Sequence, residues 1–263
     1  MPATPPLVAS HPHRPPPGRV LRVATFNIRH GAGLDERVDL ERVARAIAAT
    51  GADVVGLQEV DRNLGRTDAT DQAAWLAERL GAHLAFAAAV DAPPPAPGRP
   101  RRQYGNAVLS WYPIRSAATV VLPRLHRPER RVLLDVRIDV GATPVRVLAS
   151  HLQNRAPDER LAQAHAVRAH LAAGSGPAVV LADLNARPGA PELAVLTGGL
   201  VDAWAAAGSG PGHTYDARTP HARIDYVLVS PDVGVRAAAT VRTDASDHLP
   251  LVAELVLPSR SPG

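Results

Sequence analysis

The chain has 263 residues, 46% of them hydrophobic, and a formal net charge of +4, so it is long enough to bury a sizeable core. It contains no cysteine, which excludes disulfides, thiolate zinc sites and cysteine nucleophiles, and no lysine, which excludes a Walker-type phosphate loop and a Schiff-base lysine. No apolar run has the length of a membrane span or of a secretory signal, so we expect a cytoplasmic protein without an integral membrane segment.

The N-terminal part of the chain divides into a tail and a series of alternating elements. Seven prolines among residues 1–18 predict a disordered tail, followed by a domain at 19–258 and a short tail at 259–263. The first half of the domain alternates strand-like apolar runs with helical spacing. Its predicted strands are RVLRVATFNI, DVVGLQEV and HLAFAAAV, and its predicted helices are DLERVARAIAAT and DQAAWLAERLG.

A loop rich in proline and arginine, DAPPPAPGRPRR, comes next. Arg99, Arg101 and Arg102 lie in it just before Tyr104, and we expect them to help capture a polyanionic substrate. The alternative is a solvated insertion without a binding role.

The second half of the domain is dominated by strands. The predicted strands are YGNAVLS, RSAATVVL, RRVLLDVRIDV, TPVRVLASHL, GPAVVLADLNA, RIDYVLVS, VGVRAAATV and LPLVAELVL; the predicted helices are APDERLAQAHAVRAHLAA and APELAVL. So many strands with few helices between them argue against a regular alternating barrel. Two β-sheets packed face to face, with helices outside, account for the pattern better.

Polar side chains follow several of these buried runs directly. Asn27, Glu59 and Asp183 end the runs VATFN, VVGLQE and AVVLAD. One acid at a strand end is ordinarily just solvated, but several in one chain indicate a shared cleft, because strand ends meet at one edge of a sheet. Further polar residues lie beside apolar runs: His151 ends one run, Asp225 lies in RIDYVLVS, and Asp247 and His248 come immediately before the last predicted strand.

The chemistry of this set suits phosphoester hydrolysis. Oxygen ligands without cysteine favour Mg²⁺, with Mn²⁺ as an alternative, over zinc. Such an ion stabilises the charge that builds on a phosphate and its leaving oxygen. Histidines beside carboxylates carry protons or positive charge near neutral pH.

Seven motifs in a fixed order resemble those of the endonuclease/exonuclease/phosphatase superfamily, the group of DNase I-like nucleases. They are TFNI, LQEV, YGNAVLS, SHL, LADLNARP, HARIDYVLVS and SDHLPL, and they cover roughly residues 20 to 257. Each motif alone is weak, whereas all seven in that order are specific. The resemblance implies a four-layer α/β/β/α sandwich of two mixed β-sheets flanked by helices, and a metal-dependent phosphoester hydrolase, most often a phosphodiesterase or endonuclease.

The resemblance also implies roles for the strand-end residues. Glu59 matches the principal metal-binding glutamate, Asn27 the asparagine beside metal and phosphate, and Asp247 an acid near the metal. Asp183 matches the aspartate that activates the attacking water, and Asn185 the partner that holds the scissile phosphate.

The remaining matches concern the histidines and one tyrosine. His248 matches the residue that binds the phosphate oxygen, and Asp225 the acid that orients it. His151 matches a candidate general acid, and Tyr104 lies at the rim of the cleft. Two positions depart from the family pattern: Ala182 replaces a common glycine, and Gln103 replaces an acid that bears on the orientation of His151.

Other enzyme classes fit the sequence less well. Ser246, Asp247 and His248 are adjacent in the chain, which is not in itself the geometry of a catalytic triad, and no nucleophile-elbow motif is present. No H-E-x-x-H zinc motif is present either, and His165 and His170 on the longest predicted helix are typical of surface histidines.

The substrate stays open at this point. The chain has few aromatic residues to stack on bases, and its arginines are spread out. Nucleic acid and a phospholipid headgroup are both compatible, since NIRHGAG and QEVDRNLGRT also resemble compact bacterial members related to a GPI-lipid-remodelling protein. A phospholipid or inositol-phosphate phosphoesterase of the sphingomyelinase type is therefore the alternative enzyme, and a polyanion-binding module the non-enzymatic one. We expect a monomer.

Overall fold

The computed structural model describes residues 20–126 and 129–259. The tail predicted at residues 1–18 lies outside the described residues, and so does all but Ser259 of the tail predicted at 259–263. No helix in the described ranges is long and apolar enough to cross a membrane.

Twelve strands and five α-helices make up the described part of the chain. The strands are β1 (Val20–Asn27), β2 (Val54–Arg62), β3 (His83–Ala92), β4 (Arg102–Ser110), β5 (Ile114–Val121), β6 (Val132–Val140), β7 (Thr143–His151), β8 (Ala178–Asp183), β9 (Val201–Asp202), β10 (Asp225–Val229), β11 (Gly234–Thr240) and β12 (Leu251–Val256). The helices are α1 (Leu40–Thr50), α2 (Gln72–Leu80), α3 (Pro157–Ala172), α4 (Pro191–Thr197) and α5 (Ala203–Ala207).

The strands form two six-stranded mixed sheets with matching layouts. The first sheet has the order β11-β12-β1-β2-β4-β3, and the second has the order β5-β6-β7-β8-β10-β9. In each sheet a central parallel pair, β1 with β2 or β7 with β8, is flanked by antiparallel neighbours. The helices α1 and α3 connect these two parallel pairs, as parallel pairing requires a crossover.

Three layers of apolar side chains hold the sheets and helices together. The layer between the two sheets contains Val54 and Val108 from the first sheet and Val147 and Leu181 from the second. Further apolar clusters join the first sheet to α1 and α2, and the second sheet to α3 and α4. The arrangement is the expected four-layer α/β/β/α sandwich, so the predicted fold is confirmed.

Local chemistry fixes where the helices beside the first sheet begin and end. Asp39 caps α1 by accepting a hydrogen bond from the Arg42 amide, and Asp71 caps α2 through the Ala74 amide. Both helices end at glycines in the left-handed conformation. The helices therefore stop close to the positions expected from the sequence.

A close approach of the two sheets occurs at Gly56 of β2. A Cβ atom at this position would lie 2.6 Å from Cβ of Leu181 in β8. Next to it, Gln58 donates a hydrogen bond of 3.3 Å across the gap to the Leu181 carbonyl. The sheets thus come together immediately before the ends of β2 and β8, where the candidate site lies.

Two elements differ from the sequence-based expectations. Strand β9 and helix α5 were not predicted, because the run VDAWAAA is too short to show either periodicity. Strands β3 and β4 also extend into the predicted loop DAPPPAPGRPRR and include its first two residues and its last one.

Candidate active site

The ends of β7, β8 and β10 lie side by side at one edge of the second sheet. His151 pairs in register with Asp183, and Asp183 pairs in register with Asp225. All three residues are at least 95% buried. The structure therefore brings together three residues that the sequence placed at separate strand ends.

Asn27 connects this edge with the first sheet. Its amide nitrogen donates hydrogen bonds of 3.0 Å to Oδ2 of Asp183 and 3.0 Å to Oε1 of Glu59. Its Oδ1 accepts a hydrogen bond from the amide of Arg29. In this geometry Asn27 holds two carboxylates together, and its role as a metal ligand stays a prediction.

Glu59 is positioned by a β-bulge. The register between β2 and β4 shifts between Leu57 and Val60, and Glu59 within this bulge has a φ of 59°. Left-handed backbone is rare for a residue with a side chain and is typical of functional sites, where a bulge re-aims one residue. Burial raises the pKa of Glu59, while its hydrogen bond from Asn27 and the charge of His248 oppose the rise.

Asp247 is the second carboxylate on this side of the site. It accepts a hydrogen bond of 3.2 Å from the Ser246 hydroxyl, and its Oδ2 lies 3.7 Å from Nε of Arg29. Its charge contributes to the raised pKa of Glu59, so the two carboxylates act on each other. Two hard oxygen donors that repel one another are the donor set that a divalent cation such as Mg²⁺ stabilises.

His248 and Asp225 form a buried ion pair. Nδ1 of His248 lies 2.8 Å from Oδ2 of Asp225, and both side chains are almost inaccessible to solvent. Burial works against the charged imidazole, but Asp225, Asp183 and Asp247 outweigh it and raise the pKa of His248 to about 10. The imidazole is therefore charged at neutral pH, with Nε2 available to an oxygen ligand.

Asp183, Asp225 and His248 offer ligand atoms within 4.8 Å of one another and could hold a metal ion. Ligation there would require a deprotonated imidazole, since only the neutral ring has a lone pair to give. The neighbouring carboxylates favour the protonated ring instead. Glu59 and Asp247 offer a second set of donors, made of oxygen atoms only, which is the ligand type that Mg²⁺ prefers.

Asp183 lies at the centre of the site. Its Oδ2 lies 3.5 Å from Nε2 of His151 and 3.8 Å from Nε2 of His248, and its Oδ1 accepts a hydrogen bond of 2.9 Å from the amide of Asn185. Burial and the negative charge of Asp225 raise the pKa of Asp183. A carboxylate with a raised pKa, close to two imidazoles, is suited to accept a proton from water.

His151 and Asn185 contact each other directly. Nδ2 of Asn185 lies 2.9 Å from Nε2 of His151 and donates a second hydrogen bond of 3.1 Å to the Leu152 carbonyl. Burial, Arg131 and His248 hold the pKa of His151 well below its usual value. A neutral imidazole in contact with Asn185 fits a positioning role, so general-acid catalysis by His151 stays a prediction.

Tyr104 lies beside Glu59 with two arginines near it. Burial and the charge of Glu59 raise the pKa of the Tyr104 hydroxyl, and Arg131 interacts with that hydroxyl and opposes the rise. The guanidinium carbon of Arg66 lies 5.5 Å from the centre of the Tyr104 ring. The hydroxyl therefore stays protonated at neutral pH and is able to donate a hydrogen bond.

The arginines of the proline-rich loop have other contacts. Nε of Arg101 lies 2.7 Å from Oδ1 of Asp91, and Arg102 donates to the Pro93 carbonyl. Arg99 is exposed, and Gln103 bonds to Asp91 and Arg62 instead of His151. Substrate capture by Arg99, Arg101 and Arg102 stays a prediction.

Three arginines that the sequence did not single out also carry charge near Glu59 or its neighbours. Arg29, Arg66 and Arg131 interact with the charges of the site. Sequence reasoning also missed Tyr215, whose ring centre lies 5.0 Å from that of His248. These residues precede a strand or lie in turns, so no strand-end pattern identifies them.

Comparisons with known proteins identify the family and the fold of the chain. The sequence model of the Endonuclease/Exonuclease/phosphatase family matches residues 24–248. A solved endonuclease/exonuclease/phosphatase from Beutenbergia cavernae DSM 12333 is 29% identical with a TM-score of 0.78, over 93% of this chain and 73% of that one.

Two more distant solved structures share the fold. The mannosyl-6-phosphatase Bt3783 of Bacteroides thetaiotaomicron VPI-5482 is 18% identical, with a TM-score of 0.72 over 90% of this chain and 100% of that one. Truncated Caenorhabditis elegans TDP2 is 23% identical, with a TM-score of 0.64 over 90% of this chain and 97% of that one.

Proposed function

This chain belongs to the endonuclease/exonuclease/phosphatase family of phosphoester hydrolases, and from that premise we propose that it is a Mg²⁺-dependent phosphodiesterase of the nuclease type. One observation carries the proposal: a charged His248 lies 3.8 Å from the buried carboxylate of Asp183. The Asp183 carboxylate, which can accept a proton from water, thus lies beside His248, which can donate a hydrogen bond to a phosphate oxygen. In-line attack of water on a phosphate requires both groups.

Glu59 and Asp247 are the residues proposed to hold the cation, with Asn27 beside them. When bound, Mg²⁺ neutralises charge on the phosphate and on the leaving oxygen. Asn27 would keep Glu59 and Asp183 at a fixed separation through its two hydrogen bonds of 3.0 Å. The bulge at Glu59 supports the assignment, since it aims that carboxylate toward Asn27.

Asp183 is proposed to accept the proton of the attacking water, while His248 donates a hydrogen bond to a phosphate oxygen. Asp225 keeps the imidazole charged and fixes its orientation through Nδ1. Nδ2 of Asn185 already lies within hydrogen-bond distance of His151 and of the Leu152 carbonyl, so a hydrogen bond from Nδ2 to the phosphate would replace one of these contacts. Tyr104 supplies a further donor near Glu59.

A substrate panel tests the proposal. Purified protein is assayed with plasmid DNA, abasic duplex, bis-p-nitrophenyl phosphate, sphingomyelin and inositol phosphates, each with Mg²⁺, with excess EDTA, and with Mg²⁺ restored. We expect cleavage of DNA and of the activated diester that EDTA abolishes and Mg²⁺ restores, and no cleavage by the Asp183→Asn variant.

Other outcomes separate the alternatives. Cleavage restricted to sphingomyelin or to inositol phosphates would replace the nuclease assignment by a lipid or inositol-phosphate phosphoesterase. Binding of DNA without cleavage of any compound would indicate a polyanion-binding module. Full activity in excess EDTA would contradict the role of the cation.

A further inference from the structure

Arg66 is held in one orientation by a buried carboxylate. Its Nε and Nη2 atoms each donate a hydrogen bond of 2.7 Å to the two oxygens of Asp61, which is completely buried. Thr67 donates to the same carboxylate. A two-point contact of this kind fixes the plane of a guanidinium, so Arg66 has lost most of its freedom before any ligand arrives.

The contact with Asp61 leaves part of the guanidinium unused. Two of the five N–H groups of an arginine are engaged here, which leaves both hydrogens of Nη1 and one of Nη2. The Arg66 side chain is 49% exposed. The free hydrogens of Nη1 and Nη2 include a parallel pair, the arrangement that matches two oxygens of a phosphate.

Tyr104 places this donor pair next to the candidate site. The Arg66 guanidinium lies over the Tyr104 ring at 5.5 Å, and the Tyr104 hydroxyl interacts with Arg131 and with the charge of Glu59. Arg66 also feels the charge of Glu59. An anion held by Arg66 would thus lie beside the phosphate that Glu59 and its cation bind.

Arg131 adds a second source of positive charge behind Tyr104. Its side chain is 6% exposed, and within residues 20–126 and 129–259 its buried Nε has no hydrogen-bond partner. One of its other nitrogens lies 3.0 Å from Glu129. Arg131 therefore has one buried donor, its Nε–H, without a partner among the described residues.

We propose that Arg66, fixed by Asp61 over the face of Tyr104, is a second anion-binding subsite that selects phosphoesters carrying a second phosphate group. The inference rests on the proposed function, because the first phosphate is the one cleaved beside Glu59. The subsite predicts a preference for molecules with two phosphates close together, such as nucleic acid or a bisphosphorylated small molecule. Isolated diesters should be poorer substrates.

Two matched substrates test the subsite. One is the p-nitrophenyl ester of thymidine 5′-phosphate, and the other is the same ester with an added 3′-phosphate. We expect the added phosphate to raise kcat/KM in the unaltered protein. Arg66→Gln should lower kcat/KM about 10- to 100-fold more for the second ester than for the first, as expected for the loss of a charge-assisted hydrogen bond. Arg115→Gln is the control. Arg115 is 64% exposed, pairs with Asp139 at 2.7 Å and lies on β5, an edge strand of the second sheet.

Binding without turnover keeps the two proposals distinguishable. Calorimetry with Mg²⁺ compares thymidine 3′,5′-bisphosphate with thymidine 5′-monophosphate. Tighter binding of the bisphosphate that Arg66→Gln abolishes supports the subsite even if no ester is cleaved, a result that would overturn the proposed function alone. An equal loss of kcat/KM for both esters, or no preference for the bisphosphate in the unaltered protein, would overturn the subsite.

Discussion

The amide nitrogen of Asn27 donates a hydrogen bond of 3.0 Å to Oδ2 of Asp183, although the two residues lie at the ends of strands in different sheets. The same nitrogen bonds Glu59, so one side chain links the proposed cation ligand with the proposed base. The separation of these two carboxylates therefore depends on how the sheets pack and not on either sheet alone.

Glu59→Gln should weaken activation by Mg²⁺ without unfolding the protein. The amide keeps the size of the side chain and loses the charge that a hard cation needs. Because burial raises the pKa of Glu59, protons compete with the cation at low pH. In the unaltered protein the Mg²⁺ concentration for half activation should therefore fall as pH rises, and in the variant this dependence should largely vanish.

Glu254→Gln serves as the control for this change, since Glu254 lies on β12 and pairs with Arg236. Activity titrated with Mg²⁺ at several pH values, together with melting temperature, provides the measurement. An unchanged half-activation concentration in Glu59→Gln would remove Glu59 from the cation site.

His248→Ala should reduce kcat on an activated phosphodiester by about 10²–10³, the usual loss for an oxyanion donor. Asp225→Asn should act through the same imidazole, so the double variant should be little worse than His248→Ala alone. Asp225 raises the pKa of His248, and its removal lets the ring lose its proton as pH rises through a lower value. Activity of Asp225→Asn should therefore decline at a lower pH on the alkaline side than in the unaltered protein.

Folding is checked by melting temperature, with His165→Ala on the exposed part of α3 as the control. Near-normal kcat for folded His248→Ala would show that the histidine only packs at the start of β12. Fully additive losses would show that Asp225 acts elsewhere.

Gly56→Ala should destabilise the protein by about 1–3 kcal/mol, the cost of forcing an extra methyl group into a packed interior. Its Cβ would lie 2.6 Å from Leu181, so the sheets would have to separate just behind Asn27 and Asp183. We expect a loss of kcat larger than the loss of folded protein explains. Gly234→Ala is the matched strand control, because its Cβ would meet Val256 at an ordinary 3.5 Å; equal effects of the two changes would contradict this account.

Replacing Arg99, Arg101 and Arg102 with serine should flatten the salt dependence of DNA binding by about one unit of slope for each arginine that pairs with a phosphate. Serine at three exposed arginines of other elements, Arg45, Arg115 and Arg236, is the control with the same net charge. The measurement is the affinity for a short duplex over a range of salt concentrations. If both triple variants have the same slope, the loop has no special part in capture.

The sequence predicted the layers and the strand-end residues because both follow from local patterns. Asp183 ends an apolar run of six residues, and such a run is buried wherever it lies. Asn27 and Glu59 were predicted for the same reason. The contact of Asn27 with Asp183 was not, since it depends on the close approach of the sheets at Gly56.

The arginines near the site show where local patterns stop being informative. Arg66 lies in a short turn, where a charged residue ordinarily faces water, and its importance comes from Asp61 and Tyr104 on neighbouring strands. Tyr215 lies in a stretch without periodicity and reaches His248 only through the folded chain. Conversely, the conspicuous run of arginine and proline before Tyr104 makes a local ion pair, since Arg101 pairs with Asp91 on β3.

The layout of the first sheet also determines when β1 gains its second neighbour during synthesis. β1 pairs along most of its length with β12, the last of the described strands, and β12 begins three residues after His248. β1 therefore lacks this neighbour until residues 251–256 have been made. A ribosome-bound fragment that ends before β12 leaves β1 at the edge of its sheet, with no strand to hold His248 beside Asp183.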